Sequence, residues 1–467
     1  METLQRTANR GSVSTGYDID NSCKFEADNS ESMARTNSSE GNKQICTLSM
    51  WVKRTELADS FFFTAGDNAD PFFIFGFYQD KIYWSTTAGV SGGGVMQTNR
   101  LFRDTSAWYH IVLAIDTTQG TDTNRYKLYV NGIQETSFGT ANYPSQNANL
   151  EIMDDVPQDV GGYTSYFLSG YLAEFVAIDG QQLAPTSFGE FDDDSGIWKP
   201  KDVSGLTFGT NGFYLDFKDA SNLGNDASGG TDFAETNLTA ADQAVDTPTN
   251  SFCTLNVISA IGNNTYTEGA TKGIANAQNE QAEGTFMINK GKWYFEAQNI
   301  TSVGAMFGFG KPNNWATSNP NNPGNDTSSF AIANDGNVYY NSNTAASGWD
   351  SYAITDKAMI AVDLDNGFCY FGKNGTWGNS GDPTSGSSGT GGFNYVSLVT
   401  NISLGDELVP ALRISYTQTH GAMFNFGGYT VMSISSAESD SLGYGTFEYA
   451  PPSGYYALCT KNLAEYG

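Results

Sequence analysis

The segment RYKLYVNGIQETSF (residues 125–138) has the form of a strand, a two-residue turn and a second strand. The turn is Asn131-Gly132, and Asn and Gly readily adopt the positive φ angles that a type I′ turn requires at both central positions. A two-residue turn of this kind joins neighbouring antiparallel strands. The segment therefore predicts a β-hairpin.

Similar strand-like runs of about five to eight residues, separated by polar turns, recur along the chain. In the N-terminal half they are TLSMWVK (47–53), FFIFGFY (72–78), KIYWST (81–86), WYHIVLAID (108–116), YFLSGYLAEFVAID (166–179) and GFYLDF (212–217). In the C-terminal half they are KWYFEAQ (292–298), VGAMFGFG (303–310), FAIAND (330–335), NVYYN (337–341), AMIAVDLD (358–365), FCYFGK (368–373), LVPALRIS (408–415) and AMFNFGG (422–428). No stretch of eleven or more residues shows convincing helical periodicity. We therefore expect an all-β protein of two antiparallel β-sandwiches.

The strand-like runs form two regions with a different composition between them. We expect one sandwich at residues 12–217 and a second at residues 285–430. Residues 218–284 are small, acidic and poor in aliphatic side chains, which predicts a linker or an extended connection. Residues 431–467 are Ser-rich and contain Pro451-Pro452, so they are expected to form a C-terminal tail rather than a central strand.

The charge of the chain restricts its partners. The 467 residues include 23 Lys and Arg against 51 Asp and Glu, a formal net charge of −28. Such a chain repels the phosphates of nucleic acid and the headgroups of an anionic membrane, so neither is expected as a partner. No apolar run approaches the roughly 20 residues of a membrane span, and the first twenty residues contain no signal-peptide-like apolar region. We therefore expect neither membrane insertion nor secretion.

Few side chains are suited to catalysis. The two histidines, His110 and His420, lie inside or beside apolar runs, which favours a packing role for both. The five cysteines are far apart and contain no CxxC pair, so neither a zinc cluster nor a disulfide framework is indicated.

Five segments of the first region carry a family resemblance. They are YDIDNSCKFEA (17–27), CTLSMWVKR (46–54), WYHIVLAID (108–116), YKLYVNG (126–132) and SGYLAEFVAIDGQQLAPTSFGEF (169–191). In this order they resemble the concanavalin A-like, laminin-G-type jelly roll, and most closely the version found in structural and tail-fibre-like proteins of bacteriophages. The resemblance covers about residues 12–256.

The second region resembles a SPRY-type sandwich, a relative of the concanavalin A-like fold. The motifs are GKWYFEAQ (291–298), VGAMFGFG (303–310), AVDLDNGFCYFGKNGTW (361–377), LVPALRIS (408–415) and NFGGY (425–429). The ending YAPPSGYYALCTKNL (449–463) is similar to the C-terminal tail of the same phage proteins.

These resemblances imply a non-enzymatic protein of the phage particle surface, assembled in the host cytoplasm. We expect a tail-fibre or receptor-binding adhesin that contacts host-surface glycans or a protein receptor. The alternative is a structural part, such as a capsid decoration or head-fibre protein, that docks on other virion proteins. Because virion appendages are commonly symmetric, a homo-oligomer is expected, with a trimer preferred.

An enzymatic alternative exists within the concanavalin A-like group, whose glycoside hydrolases carry Glu-x-Asp-x-x-Glu on one strand face. A retaining glycosidase needs two carboxyl groups flanking the scissile bond. The nearest match here is EFDDDS (190–195), in which Ser195 replaces the final Glu. The motif is therefore incomplete, and we expect a solvated acidic turn and no enzyme.

Calcium is the one cofactor that the resemblance raises, because laminin-G-type sandwiches often bind it through loop oxygens. The candidate ligands are Asp154, Asp155, Asp192, Asp193 and Asp194. Clustered carboxylates suit a hard cation. Solvated loops without a metal are the alternative, since 51 acidic residues also cluster by chance.

Aromatic residues in the loops of the second region are candidates for glycan contact. Sugars stack their apolar faces on flat rings while amides bind the hydroxyl groups. The candidate residues are Asn313, Asn314, Trp315, Trp349 and Trp377. The competing interpretation is that each tryptophan closes the open end of the sandwich.

Overall fold

The computed structural model describes residues 16–66, 72–86, 93–259, 264–275, 281–300, 304–312, 323–414 and 421–467. They form two compact units that divide between Thr249 and Asn250. We call residues up to 249 unit 1 and residues from 250 unit 2. In the described part of the chain, no helix combines the length and the apolar character needed to cross a membrane.

Short strands with buried side chains make up unit 1. They are β1 (Ser22–Phe25), β2 (Ser32–Thr36), β3 (Ile45–Arg54), β4 (Ser60–Ala65), β5 (Phe73–Tyr78), β6 (Lys81–Thr86), β7 (Val95–Thr98), β8 (Tyr109–Asp116), β9 (Tyr126–Val130), β10 (Ile133–Glu135), β11 (Phe138–Asn142), β12 (Pro157–Val160), β13 (Gly170–Asp179), β14 (Gly189–Phe191), β15 (Trp198–Pro200), β16 (Phe213–Leu215), β17 (Ala234–Thr236) and β18 (Gln243–Ala244). Short 3-10 helices lie between some of them, including Pro185–Ser187.

Two antiparallel sheets of eight strands form the sandwich of unit 1. The first sheet has the order β10-β9-β8-β3-β13-β1-β18, with β16 beside β13, and the second has the order β11-β7-β6-β5-β4-β12-β2-β17. The predicted hairpin is confirmed: β9 and β10 pair antiparallel, and Asn131 and Gly132 have φ angles of 49° and 78°. Aromatic and aliphatic side chains from both sheets fill the interior. The all-β prediction is therefore correct.

The outer face of the first sheet is covered by the chain that follows β13. Val112 and Val176 of this sheet pack against Phe188 and Val203 in a second apolar cluster. Burial on both faces explains why β13 is buried along its whole length instead of alternating between buried and exposed residues.

The acidic segment 218–284 is divided between the two units. Its first part belongs to unit 1 and its second part, from Asn250, to unit 2. In unit 1 its acids neutralise buried cations of the sheets, in the pairs Lys24–Asp242 (2.7 Å), Lys53–Asp246 (2.7 Å) and Arg35–Asp226 (3.1 Å). A buried charge is strongly destabilising without a partner, so these acids are fixed parts of the fold.

Unit 2 contains the remaining described elements. They are β19 (Thr265–Thr267), β20 (Lys272–Ile274), β21 (Gln281–Glu283), β22 (Lys292–Asn299), β23 (Met306–Gly310), β24 (Ser329–Ala333), β25 (Val338–Tyr340), β26 (Asn343–Ala346), β27 (Lys357–Asp363), β28 (Phe368–Lys373), β29 (Thr376–Trp377), β30 (Phe393–Asn394), α1 (Tyr395–Leu398), β31 (Val409–Arg413), β32 (Gly421–Asn425), β33 (Tyr456–Ala457) and α2 (Thr460–Tyr466).

Two sheets also enclose the core of unit 2. One has the order β19-β20-β32-β22-β27-β28-β29, with β30 and β33 at its sides, and the other has the order β21-β31-β23-β24-β25-β26. The turn Asn374-Gly375 joins β28 to β29, with φ angles of 48° and 85°. Aromatic side chains from both sheets meet between the layers.

The C-terminal residues 431–467 fold onto unit 2. β33 pairs with β22 in parallel. The carboxylate of Glu296, in β22, is 0% exposed and accepts hydrogen bonds from the backbone N–H groups of Glu448 (3.0 Å) and Tyr449 (2.8 Å). The predicted tail is therefore held by buried polar contacts.

The two ends of each unit lie beside each other. In unit 1 the first strand, β1, pairs with the last strand, β18, and the Ile19 N–H group donates to Thr249 Oγ1 at 3.1 Å. In unit 2 the Cys253 N–H group donates to the Leu458 carbonyl at 2.9 Å.

Candidate functional site

The predicted ligand residues of the second region do not form one exposed group among the described residues. Asn313, Asn314 and Trp315 lie outside the described residues. Trp349 is 8% exposed and belongs to the core of unit 2, where its ring meets Phe371 edge-on at 5.8 Å. This burial contradicts the expectation that Trp349 offers its ring to a ligand.

Trp377 is half-buried at the sheet edge in β29. Its ring lies 6.4 Å from that of Tyr294, at an interplanar angle of 75°. Tyr294 is itself buried and packs on Phe447 of the C-terminal segment. Trp377 therefore retains some exposed surface, but part of its ring supports the packing of the C-terminal segment.

A more extensive aromatic surface lies on unit 1, on the outer face of the second sheet. In β5, Phe73, Phe75 and Phe77 point into the core, so the alternate residues Ile74, Gly76 and Tyr78 face outward.

The same alternation applies to β6, where Ile82 and Trp84 belong to the core and Tyr83 faces outward. The rings of Tyr78 and Tyr83 are 5.4 Å apart with an interplanar angle of 46°. Directly opposite Tyr83 in the register is Gly76, whose missing side chain leaves room for the two rings to approach across the strand pair.

Gly76 is required at this position by the neighbouring strand as well. The register of β4 and β5 shifts between Phe61 and Phe63, and a Cβ atom on Gly76 would lie only 2.1 Å from the Ser60 carbonyl oxygen. The bulge thus brings the backbone of β4 close to β5 at the centre of the face, where only glycine fits.

Two further side chains border the tyrosine pair. Gln97 of β7 is the register partner of Tyr83, and its amide donates to the Tyr78 carbonyl at 3.3 Å. On the other side of Gly76, the ring of Tyr166 is 38% exposed and lies 4.8 Å from the ring of Phe61. We call Tyr78, Tyr83, Gln97 and Tyr166 the tyrosine face.

The turn between β5 and β6 holds the tyrosine pair in place. Gln79 and Asp80 have left-handed φ angles of 53° and 60°, as a type I′ turn requires. Asp80 is anchored by the guanidinium groups of Arg54 (3.3 Å) and Arg103 (2.7 Å), and the Gln79 N–H group donates to Asp59. The aromatic pair therefore stands on a hairpin with a fixed geometry.

The carboxyl group of Asp159 lies on the same face, beside Thr64, whose hydroxyl donates to it at 3.2 Å. Burial raises the pKa of Asp159 to about 6, although the hydroxyl group lowers it. Near neutral pH the group is a hydrogen-bond acceptor on the same face as the phenol and amide groups of Tyr78, Tyr83 and Gln97.

The calcium candidates separate into two groups. Asp154 and Asp155 lie within 4.8 Å of a third carboxylate, Glu40, which is distant in sequence and was not among the predicted ligands. Lys43 Nζ is 3.2 Å from both Glu40 and Asp154, so a positive charge already occupies the cluster. The nearby carboxyl of Glu151 has its pKa raised to about 7 by burial and by the negative charge of Asp154. The carboxylate oxygens of this cluster suit a hard cation such as calcium. Lys43 competes with such a cation for the oxygens of Glu40 and Asp154.

Asp192, Asp193 and Asp194 form the turn between β14 and β15. Hydrogen bonds from the Ser195 backbone and hydroxyl groups, together with Lys199, lower the pKa of Asp192 to about 2. Asp193 and Asp194 are exposed, and in the described part of the chain these carboxylates do not gather into a metal-binding group. Glu190 and Asp192 both pair with Lys199, as expected for an acidic turn.

His110 is placed by packing, as predicted. It is 1% exposed, its Nδ1 accepts from Trp198 Nε1 at 2.9 Å, and its Nε2 lies 2.9 Å from Ser49 Oγ. Because Trp198 can only donate, Nε2 carries the proton of the neutral ring. Burial lowers the pKa of His110 to about 3, so the ring stays neutral. His420 lies outside the described residues.

One buried acid in unit 1 was not anticipated. Glu174 sits at a shift in the register of β13 against β3, with a left-handed φ of 47°. Its Oε1 accepts from the hydroxyl groups of Tyr214 (2.7 Å) and Tyr17 (3.1 Å), and its Oε2 has no partner among the described residues. Burial raises its pKa to about 7. The two tyrosines cover this carboxyl group, which is 5% exposed.

Comparison with known proteins places the tyrosine face inside a recognised domain. Residues 28–181 match the family described as Laminin_G_3, the concanavalin A-like lectin/glucanases superfamily. Unit 1 contains a concanavalin A-like domain. All four residues of the tyrosine face lie within the matched range. No curated protein matches the sequence.

Solved structures of low similarity were also found. The SPRY domain of human HERC1 is 14% identical with a TM-score of 0.27, and the alignment covers 38% of this chain and 99% of that domain. A native heptameric SAP-like pentraxin from Limulus polyphemus is 14% identical with a TM-score of 0.29, covering 41% and 100%. Stonustoxin is 15% identical with a TM-score of 0.27, and the match spans 37% of this chain and 27% of the toxin chain.

The sequence contained a signal for the tyrosine face. Alternation within FIFGFY (73–78) and KIYWST (81–86) separates the core residues from Tyr78 and Tyr83. Which strands neighbour one another was needed to place Gln97 and Tyr166 beside them, and this cannot be obtained from alternation alone.

Proposed function

We propose that this chain is a non-enzymatic, glycan-binding protein of a phage particle surface, and that the tyrosine face of unit 1 is its binding surface. The observation that carries the proposal is the pair of half-exposed rings, Tyr78 and Tyr83, 5.4 Å apart beside the amide of Gln97. Flat rings stack on the apolar faces of sugars, and the amide and phenol groups bind hydroxyls.

Three features support this surface. The face lies on a hairpin anchored by Asp80, so the rings need little ordering on binding. It belongs to a domain of the lectin/glucanase superfamily. The phage assignment rests on the sequence resemblance of residues 12–256 to tail-fibre-like proteins.

The net charge of the chain indicates which charge its glycan ligand carries. A net charge of −28 repels acidic polysaccharides at long range. The proposed ligand is therefore a neutral host-surface glycan. Other virion proteins are the proposed structural partners, and the proposed location is the exterior of the particle.

Tyr83→Ala tests the proposal. Removing one stacked ring should weaken glycan binding by about 1–3 kcal/mol, roughly 5- to 150-fold in Kd. The substitution should cost little stability because the ring is half-exposed. Binding is measured by calorimetry against oligosaccharides released from the host envelope, and folding by a thermal melt.

Tyr339→Ala is the matched control, since Tyr339 is a half-buried strand tyrosine of unit 2. It should leave glycan affinity unchanged. If Tyr83→Ala and Tyr339→Ala bind as tightly as the original chain, the tyrosine face is not the binding surface.

A further inference from the structure

Among the described residues of unit 1, β11 and β17 are the two edge strands of the second sheet. Gly139, Ala141 and Asn142 of β11 are exposed, and so are all three residues of β17. An exposed edge presents unpaired N–H and C=O groups that can pair with another strand.

The two edges differ in charge. From Thr136 to Leu150, around β11, no residue is charged, although 74 of the 467 residues (23 + 51) carry charge. β17 contains Glu235 and follows Asp232. Charged side chains are a common device against edge-to-edge association, and of these two strands only β17 contains one; β11 has a shift in its register with β7 between Phe138 and Thr140.

The two ends of β11 carry opposite charges that the unit leaves unneutralised. Before the strand, Glu135 accepts from the Ser137 N–H group at 2.8 Å. After it, Arg125 donates to the carbonyls of Pro144 (2.7 Å), Gln119 (2.9 Å) and Gly120 (3.2 Å). Among the described residues, neither Glu135 nor Arg125 has an oppositely charged partner within 4 Å.

We propose that β11 pairs antiparallel with β11 of a second copy of this chain. In an antiparallel pair the start of one strand faces the end of the other, so Glu135 of each copy approaches Arg125 of its partner. Two copies that each carry a charge of −28 repel one another at long range, and β11 adds no charge of its own to that repulsion. The contact is self-complementary and yields a two-fold dimer, not the trimer expected from the sequence.

The pairing joins two eight-stranded sheets edge to edge. The outer faces of the sheets then lie on one continuous surface, since side chains alternate in the same way across paired strands. The proposal does not depend on glycan binding, because it concerns only the edge of the sheet.

Ala141→Cys in the full chain is the first test. The five native cysteines are buried, so an introduced thiol is the reactive one. With a short bismaleimide, this variant should form a covalent dimer. Ala234→Cys on β17, the other edge of the same sheet, is the matched control and should not.

Glu135→Lys is the second test. It places like charges opposite Arg125 of the partner and should weaken the dimer at least tenfold in sedimentation equilibrium. Glu235→Lys makes the same charge change on β17 and should leave the dimer intact. The proposal is overturned if the original chain sediments as a monomer at the highest soluble concentration, if both cysteine variants cross-link equally, or if Glu135→Lys and Glu235→Lys have the same effect.

Discussion

Replacing Glu174 by Gln should increase the folding stability of unit 1 above about pH 4.5 and leave it unchanged below that pH. Glu174 is 5% exposed, and burial raises its pKa from an ordinary 4.5 to about 7. The folded state therefore holds a proton that the unfolded state releases between these values. Folding stability falls as the pH rises from about 4.5 to about 7, because the folded state must then bury a charge.

The size of the effect follows from the two pKa values. They differ by about 2.5 (7 − 4.5), and each pKa unit corresponds to about 1.4 kcal/mol, so the full penalty is about 3 kcal/mol. Gln has the same shape without the charge, and its carbonyl can accept from both Tyr17 and Tyr214 as Oε1 does. Glu174→Gln should therefore remove the penalty.

The assay is calorimetric unfolding of the full chain at a series of pH values. At pH 8 the variant should raise the Tm of the transition of unit 1 by roughly 6–12 °C, taking about 2–4 °C per kcal/mol for a domain of this size. Below pH 4.5 the variant and the original chain should coincide.

Glu190→Gln is the control, because the Glu190 side chain is 51% exposed. It should produce no comparable pH-dependent gain. A Glu174→Gln variant whose Tm differs from the original chain by the same amount at pH 4 and pH 8 would refute the reasoning, since the carboxyl would then not be titrating in the folded state.

Two more predictions concern residues first identified in the sequence. Trp349→Ala should lower the free energy of unfolding by about 3–5 kcal/mol in denaturant titration and leave glycan affinity unchanged, because the ring fills the core of unit 2; a loss of affinity with unchanged stability would contradict this. Millimolar calcium should leave the Tm of the original chain unchanged and should raise that of Lys43→Gln, because Lys43 already neutralises Glu40 and Asp154; a calcium-dependent rise in the original chain would show that the lysine does not compete.

The hairpins were predictable from the sequence because their chemistry is local. Asn131-Gly132 and Asn374-Gly375 specify positive φ angles within two residues, and the structure has them. The recurrence of short apolar runs between such turns was sufficient to predict an all-β fold.

The role of the acidic segment depends on contacts distant in sequence. Asp226, Asp242 and Asp246 neutralise Arg35, Lys24 and Lys53, about 190 to 220 residues earlier in the chain. Local composition cannot reveal such partners, so the sequence alone did not identify these three acids as parts of unit 1.

The burial of Trp349 has a similar origin. Its neighbours Gly348 and Asp350 are typical of an exposed loop, but room for the ring is made by Gly378 in a later loop. A Cβ atom on Gly378 would lie 2.7 Å from the Trp349 ring. The packing therefore depends on a glycine that the tertiary fold brings to this site.

The neighbouring ends of each unit have a consequence for how the units can be combined. In unit 1, β1 and β18 are hydrogen-bonded neighbours, and paired strands are about 4.8 Å apart. In unit 2, Cys253 and Leu458 are bonded in the same way. A module whose entry and exit points coincide can be inserted into a surface loop of another protein, or circularly permuted, without stretching its host or itself. Each unit is therefore suited to transfer as a whole module, both by recombination during evolution and by protein design.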